Sequence, residues 1–202
     1  MGVHLFYGFL LAVVGFLAPA MLNMTTVRIS IDKGRKAGFL FALGASSVNG
    51  IQSLVAFTFL PFLDSNPNVI EWLKRIGVIV LFSLAYFFYK QSKKIVSAKE
   101  NTNQTHPFLL GAFLSSINML ALPYYFGSAL GLEAGNQIIA FAPYIYYMSM
   151  GVFFGGFIMF SVYAILADVV ARKSQFITKN LNIMLASLFV ILGFAILVDL
   201  IF

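Results

Sequence analysis

Several long apolar stretches, each near or above the roughly 20 residues that carry an α-helix across a ~30 Å hydrocarbon layer, limit what this chain can become. They run from about Val3 to Val27, Ala37 to Leu63, Val69 to Tyr89, Phe108 to Leu132, Tyr144 to Ala171 and Asn180 to Phe202. In lipid the backbone must satisfy its own hydrogen bonds, so only helices and closed barrels can span, and these runs are too long for barrel strands. The expectation is an all-α membrane protein with six transmembrane helices. Composition agrees. The chain is 60% hydrophobic and 10% charged, with mean hydropathy +0.92, where a soluble domain carries about 25% charged residues. Its 202 residues suit one compact bundle and no large soluble domain.

The charges lie between the runs. Arg28, Lys33, Arg35 and Lys36 follow the first run; Lys90, Lys93, Lys94 and Lys99 follow the third; Arg172, Lys173 and Lys179 follow the fifth. Of the thirteen Lys and Arg, only Lys74 and Arg75 remain for the other side. The positive-inside rule then puts the three basic loops in the cytoplasm and both termini outside, in a cytoplasmic (inner) membrane. The net charge of +6 therefore fixes topology and does not call for a nucleic acid partner. Trp72, Tyr144, Tyr146 and Tyr147 fall at the outer interface, where aromatic belts sit. Lys74 and Arg75 can pair with Glu71 on one helical face and snorkel outward.

Several function classes drop out. With no cysteine there is no disulfide, thiolate metal site or thiol-redox chemistry. His4 and His106 lie near different helix ends and make a poor zinc pair. No H-E-x-x-H, Walker loop, G-x-S-x-G or Asp-rich cluster occurs, so neither an enzyme nor a cofactor is expected. Leu5 to Leu17 followed by Ala18-Pro19-Ala20 has the outline of a signal peptide. No Lys or Arg precedes it, however, and the apolar run continues beyond it, so it reads as a span. The sequon Asn103-Gln104-Thr105 falls on the cytoplasmic side.

The two halves resemble each other. The first span opens Gly8-Phe9-Leu10-Leu11 and reaches Pro19; the fourth opens Gly111-Ala112-Phe113-Leu114 and reaches Pro123. Because three spans precede the fourth, the second half runs in the opposite sense. The expected fold is two inverted three-helix repeats, residues 1–89 and 108–202, joined by a basic cytoplasmic loop over 90–107. Helices 1 and 4 are expected to be broken or kinked at proline. Proline deletes a backbone hydrogen bond and clashes with the carbonyl four residues back. Paired interruptions near the midplane are where transporters of this design hold substrate. A simple kink re-satisfied by neighbouring helices is the competing reading.

Polar residues cluster at the same depth. Ser46, Asn49, Gln52 and Ser53 share one face of the second span. Asn23, Thr25 and Thr26 add to them from the first span, and Ser115, Ser116 and Asn118 from the fourth. They can line a polar cavity or act as interhelical glue. The candidate substrate-binding set is Pro19, Asn23, Asn49, Gln52, Asn118 and Pro123. Gly151 and Gly155, beside Gly156, make a small-residue face on the fifth span, for packing within the protomer or between two protomers of a homo-oligomer. Asp168 can pair with Arg172.

With these features assembled, the chain resembles the lysine-exporter (LysE/RhtB) family of amino-acid exporters over nearly its whole length. The resemblance rests on size, six spans, Phe6-Tyr7-Gly8 to Leu17-Ala18-Pro19-Ala20, Lys33-Gly34-Arg35-Lys36-Ala37-Gly38, Leu43-Gly44, and Gly111 to Asn118. Two motifs depart. The usual Pro-Gly-Pro of helix 1 is Ala18-Pro19-Ala20 here. The usual Asn-Pro-Lys of helix 4 is Asn118-Met119-Leu120, with the proline displaced to Pro123. The resemblance implies export of amino acids or similar small polar solutes, driven by a proton or ion gradient and often by a homo-oligomer. An ion or metal exporter on the same scaffold, or a non-transporting membrane scaffold protein, are the alternatives.

Overall fold

The structure is a computed structural model. It describes residues 1–17, 20–64, 106–118, 120–139 and 141–170, with isolated helical positions within 72–90 and 183–198. The helices are α1 (Gly2–Leu17), α2 (Met21–Lys33), α3 (Arg35–Thr58), α4 (Leu60–Asp64), α5 (Pro107–Ser116), α6 (Ala121–Ala134) and α7 (Tyr144–Ile165). Two of them, α7 and α3 with its extension to Phe62, are long and apolar enough to cross a membrane among the described residues. The bent pairs α1–α2 and α5–α6 bring the number to four if each is one span. Pro19, Glu71, Lys74, residues 91–105, and Arg172 lie outside the described residues.

Two expectations need correction. The first is the basic loop after the first span, which is not a loop. The chain bends by 76° after Leu17, re-enters helix at Met21 and stays helical through Lys33. Only Gly34 stands between α2 and α3, at φ 85° and ψ 161°, a backbone that side chains with a Cβ rarely adopt. Arg28 and Asp32 pair at 3.4 Å across one turn of α2. The second correction concerns the fourth span, which breaks one turn before its proline. α5 stops at Ser116, α6 starts at Ala121, and the pair is bent by 64°. Pro123 lies in the first turn of α6, where a missing N–H removes no intrahelical bond; its ring disfavours helix at the carbonyl four residues back.

The chain divides into two compact units, 1–62 with 100–172, and 63–99 with 173–202. In the second unit Phe82 and Phe194 meet edge to face at 5.3 Å beside Gly193, and Arg75 lies over the Trp72 ring at 5.6 Å.

The first unit is sorted for lipid. Along α7 the exposed positions Met150, Phe154, Ile158, Val162 and Ile165 are all apolar, while the buried face is built from Ser149, Gly151, Gly155, Gly156 and Ala164 among larger residues. A water-facing helix would show the reverse. With lipid outside, hydrophobic burial gives little drive between helices, and small residues allow close van der Waals packing. A Cβ on Gly151 would meet the backbone of Leu5 and Phe9, and one on Gly8 the carbonyl of Met148. These contacts clasp α1 to α7. A Cβ on Gly111 would meet the backbone of Phe41 and Ala45, and one on Gly44 that of Phe108 and Ala112, which clasps α3 to α5. The face carrying Gly151 and Gly155 thus packs against α1 of the same chain.

Gly151 meets Leu5 and Gly155 meets Phe9, while Gly44 meets Phe108 and Gln52 reaches Ser115, so α1 runs parallel to α7 and α3 parallel to α5. Gly111→Leu and Gly151→Leu drive a branched side chain into backbone, and overpacking of this kind costs about 1–3 kcal/mol. Thermal unfolding in detergent should show a lowered midpoint for both, and no change for Gly2→Leu, whose surroundings are open.

Candidate functional site at the helix breaks

Two apolar clusters fill the first unit. One contains Ala12, Phe57, Leu60, Tyr125, Ala129, Ile145, Met148 and Val152. The other contains Leu22, Ile29, Phe41, Ala45, Leu114 and Phe160. Along α3 the buried polar residues Ser46, Asn49 and Ser53 fall between these clusters, with the half-buried Gln52. Both helix breaks fall between them too, since Ala12 and Leu22 flank the first break and Leu114 and Ala121 the second. The result is a polar layer at mid-unit, crossed by two interrupted helices.

A helix that stops inside a membrane leaves its last carbonyls without intrahelical partners, and lipid supplies none. Here side chains supply them. Asn23 Nδ2 donates to the carbonyl of Phe16 at 2.9 Å, and the Tyr163 hydroxyl donates to that of Leu17 at 2.7 Å. Asn23 also reaches the Tyr163 hydroxyl. At the second break Gln52 Nε2 donates across from α3 to the carbonyl of Ser115 at 3.1 Å. The Ile117 and Asn118 amides close the end of α5 locally, on Phe113 and Ser115. The two bent pairs are tied to each other by Tyr124 of α6. Its hydroxyl donates to the Leu11 carbonyl at 2.7 Å, and its ring lies against Gly15.

The sequence-derived site residues thus separate. Asn23, Asn49 and Gln52 belong to the polar layer, and Asn118 stands in the second break. Pro123 is exposed on α6, and Pro19 lies outside the described residues. Tyr124 and Tyr163 were missed. Neither stands out in the sequence, where each is one more aromatic residue in an apolar run.

A second arrangement lies at the start of α1. His4 is buried, stacks on Tyr144 at 4.6 Å, and accepts the Ile139 amide on Nε2 at 2.9 Å. The Tyr7 hydroxyl donates to Gln137 Oε1 at 2.6 Å. Together they fasten the α6–α7 link over the end of α1. Among the described residues no group of three or more His, Cys, Asp or Glu could hold a metal ion.

Apolar-faced helices, a polar mid-layer and bent spans whose carbonyls are capped from neighbours define a multi-pass membrane protein of the translocator class. The family model described as LysE type translocator matches residues 13–200, and the chain belongs to that family. No curated protein and no solved structure matches it.

Tyr163→Phe and Asn23→Leu each remove the donor from a freed carbonyl. Interhelical hydrogen bonds in membranes are worth about 0.6–2 kcal/mol, and chemical unfolding in detergent should show a loss of that size for each. Thr58→Val, at an exposed hydroxyl that only bonds back to Leu54, should show less.

Proposed function

We propose that the protein is a secondary exporter of amino acids or similar small polar solutes across the cytoplasmic membrane, with both termini outside. The observation that carries the reading is the polar layer, where two bent spans and the amide face of α3 converge in a member of the translocator family. Half-helix ends in such a layer present backbone dipoles to a solute. Asn23, Asn49, Gln52 and Asn118 are the residues assigned to the pathway, with Pro19 and Pro123 as the elements that keep the helices interrupted.

The glycine clasps support the inverted repeat. Gly8 abuts the Met148 carbonyl and Gly151 that of Leu5; Gly111 abuts the Phe41 carbonyl and Gly44 that of Phe108. Leu5 to Phe108 is the same step along the chain as Gly8 to Gly111, and Phe41 to Met148 is the same step as Gly44 to Gly151. Each of these two contacts of α1 with α7 therefore has a counterpart of α5 with α3, with the partners exchanged, as a two-fold axis in the membrane plane requires. The parallel run of α3 and α5 also supports a further crossing between them.

The test is efflux from reconstituted vesicles loaded with candidate amino acids, with and without a pH gradient. Asn49→Ala combined with Gln52→Ala should slow efflux roughly tenfold or more, as loss of about 1.4 kcal/mol of interaction in the pathway would. The lipid-facing change Ile158→Ala should leave it intact. Unchanged efflux in the double variant would remove the polar layer from the pathway.

A further inference from the structure

The polar layer contains oxygens that the described residues do not partner. Asn49 is 0% exposed and donates its amide nitrogen to the Ala45 carbonyl at 2.9 Å. Gln52, nearly one turn on, donates its own nitrogen to the Ser115 carbonyl at 3.1 Å. Both nitrogens are committed, so the orientation of each amide is set and the carbonyl oxygens face elsewhere. Asn49 Oδ1 and Gln52 Oε1 are buried and have no hydrogen-bond partner among the described residues. The Ser115 Oγ, on a serine that is 0% exposed, is in the same condition. Buried polar groups in folded proteins are nearly always satisfied, so two such oxygens three residues apart on α3, and a third on the α5 serine whose carbonyl Gln52 reaches, point to a ligand.

Their chemistry narrows it. All three atoms carry lone pairs, and two of them can only accept. Ser115 lies in the last turn of α5, the negative end of that helix's dipole. The ligand is therefore a donor or a cation. Neutral amide and hydroxyl oxygens are hard ligands that suit alkali and alkaline-earth ions. A divalent ion in a low-dielectric layer needs carboxylates to balance it, and none of the three residues is acidic. Asp32, Glu133 and Asp168 sit at helix ends. A proton would need a titrating group, which these three residues do not provide. A single positive charge on oriented neutral dipoles needs neither, and half-helix C-terminal ends coordinate such ions in other transporters.

We infer that Asn49, Gln52 and Ser115 form a binding site for a monovalent alkali cation, sodium, between α3 and the C-terminal end of α5. As a coupling ion it deepens the exporter reading and rests on it; as a binding site it does not. The test uses the purified full chain in lipid nanodiscs, with NaCl replacing choline chloride at constant ionic strength. An ion bound only by the folded state raises the unfolding midpoint with the logarithm of its concentration above its dissociation constant. The expected result is a rise that grows with sodium, is absent in choline, and begins at roughly tenfold higher sodium in Ser115→Ala, which deletes only the Oγ. Asn49→Ala should behave likewise. The wild-type titration needs no variant, so a variant that fails to fold does not shield the inference.

No sodium-specific rise would overturn the site, as would an undiminished response in both variants. A rise with methylammonium and none with sodium would also overturn it, giving the oxygens to the amino group of a solute. Efflux from the vesicles is read separately. If efflux is absent while the sodium response stands, the exporter reading fails and the site survives; if efflux persists without a sodium response, the site alone fails.

Discussion

A carbonyl stranded inside a membrane must find a donor, and the first unit is arranged around that requirement. Stopping α1 at Leu17 and α5 at Ser116 frees carbonyls that lipid cannot bond. Asn23, Tyr163 and Gln52 reach them from α2, α7 and α3. These three bonds let the breaks exist, and the breaks put backbone dipoles into a polar layer between two apolar clusters. The donors reach because the helices are close. Glycine at 8, 44, 111 and 151 lets α1 approach α7, and α3 approach α5, until backbone meets backbone.

This arrangement separates what is stiff from what is adaptable. The two glycine clasps join parallel helices through backbone contacts that cannot slide without clashing. The layer between them is held by a few side-chain bonds, each modest in energy. The proposed export would need the layer to open alternately to either side, and side-chain bonds of this strength can break and re-form. At the start of α1, His4 and Tyr7 tie down the α6–α7 link.

Much of this is legible in the sequence. Helical spanning followed from run length, and the polar face of α3 from its three-and-four spacing. The pairing of Gly8 with Gly111 came from a local likeness, and both glycines occupy corresponding clasps. The break positions were less legible. A proline disturbs the carbonyl a turn upstream, so the interruption between Ser116 and Ala121 precedes Pro123, which is exposed. The basic segment after the first span looked like a loop because charge density suggests solvent, yet α2 carries its charges at a helix end with Arg28 and Asp32 paired. Tyr124 and Tyr163 were hidden because tyrosine in an apolar run looks like bulk until the carbonyl it serves is known.

The central claim is that the breaks open onto a water-accessible path, not onto lipid or sealed protein. The chain contains no cysteine, so single cysteines can be placed without background. Reaction with a small water-soluble thiol reagent should be fast at Ala20→Cys and Asn118→Cys, which stand in the two breaks, and slowed by an exported solute. It should be slow at the lipid-facing Leu109→Cys and Ile158→Cys. Break positions that react no faster than the lipid-facing ones, in membranes where efflux is active, would contradict the claim.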